Sequence, residues 1–146
     1  MQAQVFSPDQ TLNLLQQRGY RLTNPRRVIV ETVFGINQAF SAEDIVRQVD
    51  SVDPTVGRAT VFRTLDVLAQ VGVLDRLHGP DGCHSYVLGM GKDTHYHHLV
   101  CSSCGTVVPF DRCIVEEMLA DLPRSTNFEI SNHMLEVFGF CEKSQN

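Results

Sequence analysis

The sequence predicts an α+β protein in two parts, an N-terminal winged helix-turn-helix followed by a small α/β unit. Three observations predict it. Up to Gly72, apolar side chains recur at helical spacing between capping signals. Two short apolar runs on either side of Gly79-Pro80-Asp81-Gly82 then read as a β-hairpin. Beyond Gly89-Met90-Gly91-Lys92-Asp93-Thr94 the pattern changes, and a Cys-x-x-Cys pair sits between Leu99-Val100 and Val107-Val108. The expected boundaries are a winged-helix domain over 1–88, a small polar hinge over 89–94 and a metal-binding domain over 95–146.

The elements follow in order. Leu12, Leu14 and Leu15 precede Arg18-Gly19, a helix end with glycine just past it. Thr23-Asn24-Pro25 starts a second helix, with proline in the first turn, and Val28, Ile29, Val33 and Phe34 form its apolar side. Ser41-Ala42-Glu43-Asp44 resembles a capping box, with Asp44 where Glu or Gln is preferred; Ile45, Val46 and Val49 are the buried side. After the turn Asp53-Pro54-Thr55-Val56-Gly57, a fourth helix carries Ala59, Val61, Phe62, Leu65, Leu68, Ala69 and Val71 and ends at Gly72. Residues 73–77 and 85–88 are the hairpin strands. In the second part, residues 111–122 fit a helix stopped by Pro123, and 128–140 reads as one long strand.

An apolar share of 42% and a charged share of 20% suit a folded chain and exclude collagen-like, coiled-coil and wholly disordered classes. No apolar run approaches the ~18 residues of a membrane helix. The N-terminal residues carry no basic region followed by an apolar stretch, so the expected location is the cytoplasm, without a membrane partner. The net charge of −5 is uneven: residues 1–92 hold 9 Lys/Arg against 9 Asp/Glu, and 93–146 hold 3 against 8. A neutral first part and an acidic second part suit different tasks. Five cysteines, an odd number, argue for metal chemistry over a disulfide framework.

Four of those five cysteines and four of six histidines fall between Cys83 and Cys113. Cys101-x-x-Cys104-Gly105 is half of a zinc knuckle, because two thiolates on a tight turn reach one ion at ~2.3 Å. Cys141 is the natural third ligand. Ser144 stands where a second Cys-x-x-Cys would finish, and a neutral hydroxyl is a poor zinc ligand. The fourth position is open to Cys113, to a water or an acidic side chain, or the site is empty; three cysteines with a weak fourth ligand is the favoured arrangement. His95-Tyr96-His97-His98 is a second cluster. Along a strand His95 and His97 share a face while His98 takes the other, so one segment serves two sites. Glu116 and His133 complete a set with His95 and His97 suited to Zn²⁺, Fe²⁺ or Mn²⁺.

The fourth helix opens on Arg58-Ala59-Thr60-Val61-Phe62-Arg63. As the second helix of a helix-turn-helix it would enter the major groove of double-stranded DNA, with Arg58, Thr60 and Arg63 outward and Val61, Phe62 and Leu65 largely inward. Arg21, Arg26 and Arg27 add positive charge where phosphate contact is expected.

With these residues in this order, the chain resembles the Fur (ferric uptake regulator) family of metal-dependent bacterial transcription regulators over residues 8–142. The resemblance is carried by Arg21-Leu22-Thr23-Asn24-Pro25-Arg26, Ser41-Ala42-Glu43-Asp44, Ala59-Thr60-Val61-Phe62-Arg63-Thr64-Leu65 and the run from His95 through Cys101-Ser102-Ser103-Cys104-Gly105. It implies a C-terminal dimerisation domain, a homodimer and repression at a near-palindromic operator when metal is bound. It implies one complete metal site (His95, His97, Glu116, His133) and three of four structural zinc thiolates (Cys101, Cys104, Cys141). Of the other regulatory site only His98 matches. Tyr96, Val87 and Ala39 depart from it, whereas Asp75 matches a position that zinc-sensing members use, with Cys83 and His84 nearby as replacement ligands. These departures favour a zinc sensor over an iron sensor. Phe62 replaces the usual tyrosine of the recognition helix and keeps its packing role only. The competing reading is a small zinc hydrolase built on His95, His97 and His133 with Glu116 as base; it leaves the basic helix unexplained.

Overall fold

A computed structural model describes residues 6–79, 84–91, 96–111, 113 and 115–145. The chain divides into two compact units, Met1–Thr94 and His95–Asn146.

The first unit is built on helix ends that the local sequence dictates. α1 (Pro8–Gln17) starts at Ser7, whose hydroxyl accepts from the Gln10 N–H while the Gln10 side chain accepts from the Ser7 N–H. It closes with Gly19 at φ +86°, the left-handed conformation that leaves the Gly19 and Tyr20 N–H groups to donate to the Gln16 and Leu15 carbonyls. α2 (Asn24–Phe34) is capped by Thr23. α3 (Ala42–Val52) has a complete capping box: the Asp44 N–H donates to the Ser41 hydroxyl and the Ser41 N–H to the Asp44 carboxylate at 2.8 Å. Aspartate therefore serves as well as the longer residue usual there. The same N–H holds the Asp44 carboxyl below the ordinary carboxylate range, with the Ser41 hydroxyl and Arg47 adding to the effect.

α4 (Arg58–Gln70) ends on Gly72 at φ +84°, where the Val73 N–H reaches the Leu68 carbonyl. The chain turns there into β1 (Leu74–His78), which pairs antiparallel with β2 (His84–Leu88). Phe40 adds a one-residue third rung to Tyr86. Leu15, Ile29, Val30, Val33, Ile45, Val49, Leu65 and Leu68 fill the space between helices and hairpin, each contributing on the order of 1.5–3 kcal/mol of burial. Gly89, expected in the hinge, is instead fastened to the hairpin base. Its N–H donates to Val73 at 2.7 Å, and a Cβ there would lie 2.8 Å from the Gly72 carbonyl oxygen.

The second unit is a three-stranded sheet of order β4–β3–β5, with β3 (His97–Cys101) central. β4 (Val107–Phe110) returns antiparallel through a turn that needs Gly105 at φ +76°. β5 (Glu136–Gly139) runs parallel to β3, so the chain crosses over through α5 (Glu116–Thr126). A short 3₁₀ turn, Glu142–Ser144, follows.

Two sequence expectations are corrected. The strand expected over 128–140 is confined to Glu136–Gly139, because β3 offers pairing only from His97 onward, and its first rung is His98 opposite Glu136. The helix expected over 111–122 begins at Glu116 and runs through Pro123; Asn127 ends it in the left-handed conformation, its N–H donating to the Pro123 carbonyl. Proline in the last turn removes one backbone donor from a helix that buries no residue. Among the described residues no helix is long and apolar enough to cross a membrane.

Candidate metal centres and nucleic-acid interface

β3 carries a ligand-type residue at each end. At its C-terminal end, Cys101 meets Cys104 from the following turn and Cys141 from the residues after β5; the three Sγ atoms all lie within 4.8 Å of one another. Two thiolates on a tetrahedral zinc at ~2.3 Å stand about 3.8 Å apart, and Cys104 and Cys141 are 3.6 Å apart. The donor set fits zinc in chemistry and in spacing. N–H groups of Cys141 and Cys104 and the Ser144 hydroxyl stabilise the Cys101 thiolate and pull its pKa down to about 5. The Thr106 hydroxyl does the same for Cys104, 3.0 Å away. Ser144 lies beside this set, its hydroxyl oxygen 3.3 Å from the Cys141 sulfur.

At the N-terminal end of β3, His97 is 4% exposed and its ring lies 5.3 Å from that of His133. The third member of this group is Cys113, with Sγ 3.3 Å from His133 Nε2 and all three ligand atoms within 4.8 Å of one another. Cys113 is thereby removed from the zinc-knuckle set: its partner His97 lies four residues from Cys101, about 13 Å along the strand. Glu116 is exposed and lines the same cleft as His133, but it is not within this group. His95 lies outside the described residues. Sequence alone offers Cys113 only to the zinc-knuckle set; its meeting with His97 and His133 comes from the packing of separate segments and carries no local sequence signal.

The second regulatory set does not assemble as expected. In the β1/β2 register Asp75 pairs with Val87, and His84 pairs with His78. Asp75 and His84 are thus three rungs apart, about 10 Å, and on opposite faces of the hairpin, so they cannot hold one ion together. His84 meets His78 instead, their rings 4.7 Å apart. His98 is buried on β3 of the second unit with its ring 5.1 Å from that of Tyr96, and Cys83 lies outside the described residues.

The helix-turn-helix is α3, the turn over 53–57 and α4. Val61, Thr64 and Leu65 face the core. Phe62, expected inward, is 38% exposed, while Thr60, expected outward, is half-buried. The correction follows from the helical phase: with Val61 and Leu65 inward, Phe62 falls on the flank beside Arg58, whose guanidinium stacks on its ring at 5.0 Å. Arg58 also forms a two-pronged ion pair with Glu43 of α3, and this holds the Glu43 carboxyl below its ordinary range. Arg63 is exposed. Arg26 is partly committed elsewhere: Nη1 donates to the Arg21 carbonyl at 2.7 Å and the guanidinium lies over Tyr20. Arg21 and Arg27 are exposed.

Comparison with known proteins gives a consistent result. The model of the ferric uptake regulator family matches residues 17–138. The ferric uptake regulation protein of Bacillus subtilis is 32% identical over 137 residues, covering 92% of each chain. The crystal structure of the Vibrio cholerae ferric uptake regulator superposes with a TM-score of 0.64 at 30% identity, over 88% of this chain and 98% of that one. A zinc uptake regulator complexed with zinc and DNA shares the fold, with a TM-score of 0.74 at 23% identity over 94% and 95% of the two chains.

Proposed function

Because the chain belongs to the ferric uptake regulator family, whose members are transcription regulators and not enzymes, we propose that it is a homodimeric, metal-responsive repressor that binds a near-palindromic operator and senses zinc. The hydrolase reading falls with that membership. The observation that carries the proposal is the joint presence of a helix-turn-helix with an exposed Arg63 and two clusters of metal-ligand residues at the two ends of one strand.

The exposed apolar surface of the second unit supports the dimer. α5 buries no residue, and Phe128, Met134 and Phe140 are 72%, 64% and 62% exposed. A twofold interface covering that surface would present two α4 helices to two half-sites. Zinc is favoured by the thiolates and by the missing carboxylate at Val87; soft ligands select zinc over manganese and iron. In this reading His97, Glu116 and His133, with His95, serve regulation, and Arg21 and Arg63 serve DNA contact in the bacterial cytoplasm. A metal shifts DNA affinity only by binding one state better than another; coupling of ~1–3 kcal/mol changes operator affinity about 5–150-fold. Fluorescence anisotropy on operator DNA, with metal-free protein reloaded with zinc, iron or manganese, tests this. Zinc should tighten binding most. Equal affinity with and without every metal would sink the sensor.

A further inference from the structure

We propose that Cys113 is a metal ligand, so that the ion at the N-terminal end of β3 is held by two imidazoles and a thiolate, from His97, His133 and Cys113. This deepens the metal-responsive reading and rests on it for the regulatory meaning of the site.

The three groups come from three separate places: the first residue of β3, the chain just before α5 and the chain before β5. Their convergence within 4.8 Å is a product of the fold and not of local spacing. On a tetrahedral ion with bonds of ~2.3 Å to sulfur and ~2.0–2.1 Å to nitrogen, the sulfur and nitrogen stand about 3.6 Å apart; Cys113 Sγ and His133 Nε2 are 3.3 Å apart. His97 is buried, and Cys113 and His133 are half-buried. The donors are thus shielded by protein on one side and reachable by an ion on the other. A thiolate changes the chemistry of the site, because imidazole and carboxylate alone discriminate poorly among divalent ions, whereas sulfur favours zinc over manganese and iron. A zinc ion with one thiolate keeps a single positive charge. Glu116, the first residue of α5 and on the same cleft as His133, brings a carboxylate to that side of the site. The other account of the 3.3 Å contact is a thiol–imidazole hydrogen bond with no metal, and metal dependence separates the two.

The test uses full-length protein, stripped with chelator and returned to zinc, to manganese or to neither. Iodoacetamide is then added, and alkylation at each cysteine is read by peptide mass spectrometry. Zinc should slow alkylation of Cys113 by at least about tenfold, since loss of even an outer partner changes metal affinity about 10–100-fold. Manganese should leave Cys113 near its metal-free rate. In His133→Ala, zinc should no longer protect Cys113 while Cys101, Cys104 and Cys141 stay protected. With cobalt, Cys113→Ser should lose part of the thiolate-to-metal charge-transfer absorption of the parent. Equal alkylation of Cys113 with and without zinc in the parent overturns the proposal. So does a Cys113→Ser protein that binds zinc as tightly as the parent with an unchanged cobalt spectrum. Operator binding is a separate readout. If DNA affinity responds to metal while Cys113 stays unprotected, the regulator stands and the thiolate ligand falls. The converse keeps the ligand and removes the regulator.

Discussion

Asp44 closes the capping box of α3 through the Ser41 N–H, and its lowered pKa makes this a pH-dependent device. A carboxyl more acidic in the folded than in the unfolded chain contributes stability that is complete above its unfolded pKa and fades as pH falls through its folded one. Asp44→Asn should therefore lower the thermal midpoint of the first unit at pH 7, with the gap narrowing toward pH 3, as followed by circular dichroism. Ser144 sets a second residue-scale expectation. Its hydroxyl contacts the sulfurs of Cys141 and Cys101, so a thiolate in its place would be within reach of a zinc held there. Ser144→Cys should slow zinc loss to a chelator and raise thermal stability, because metal binding there is coupled to folding. An unchanged release rate would mean that the fourth corner is already firmly filled.

Among the elements, α4 divides its arginines by task. Arg63 is free to reach a base edge, so Arg63→Ala should weaken operator binding by about 1–3 kcal/mol and relax sequence preference. Arg21→Ala should weaken all sequences alike and reduce the salt slope by about 1. Arg58 is claimed by Glu43 and Phe62, so Glu43→Gln should release it and tighten non-specific binding, with a steeper salt dependence in the same anisotropy titration. This division was only partly legible in the sequence. Helix ends were readable because caps are local: Thr23, Ser41, Gly19 and Gly72 each act within a few residues. Cys101, Cys104 and Cys141 were readable because a turn and a strand end hold two of them in fixed spacing. The Glu43–Arg58 pair and the meeting of Cys113 with His133 depend on how separate elements pack, fifteen and twenty residues apart along the chain. The shortened β5 was hidden because alternation in 128–135 says nothing about whether a neighbouring strand exists to receive it.

For the whole molecule, the contrast between units is the clearest constraint. The first unit buries its large apolar residues, with Val52 and Phe62 the large ones left exposed among its described residues. The second leaves Leu99, Val108, Met118, Leu122, Phe128, Met134 and Phe140 exposed; where such side chains adjoin, they mark interaction surfaces. Phe140→Asp should shift the protein from dimer to monomer in sedimentation velocity and weaken operator binding, while leaving the melting of the first unit unchanged. A dimer of undiminished stability would place the interface elsewhere.

The parallel pair β3/β5 has a ligand-type residue at or near each end of each strand. His97 and Cys101 bound β3, while His133 precedes β5 by three residues and Cys141 follows it by two. With a metal ion bound at each cluster, the two strands would be a ladder tied at both ends, the knots about 13 Å apart. Tying one knot fixes the register and spacing of the rails, so the second ion meets donors already aligned and loses less conformational entropy on binding. The two sites would then be cooperative without touching. Zinc lost from the cysteines, to a chelator or to oxidation of a thiol, should loosen the histidine site as well. Cys104→Ser should lower metal affinity at His97 and His133, read by competition with a chromophoric chelator, although it removes no ligand from them. A protein that reports zinc through one knot would, by the same ladder, report the condition of its thiols through the other.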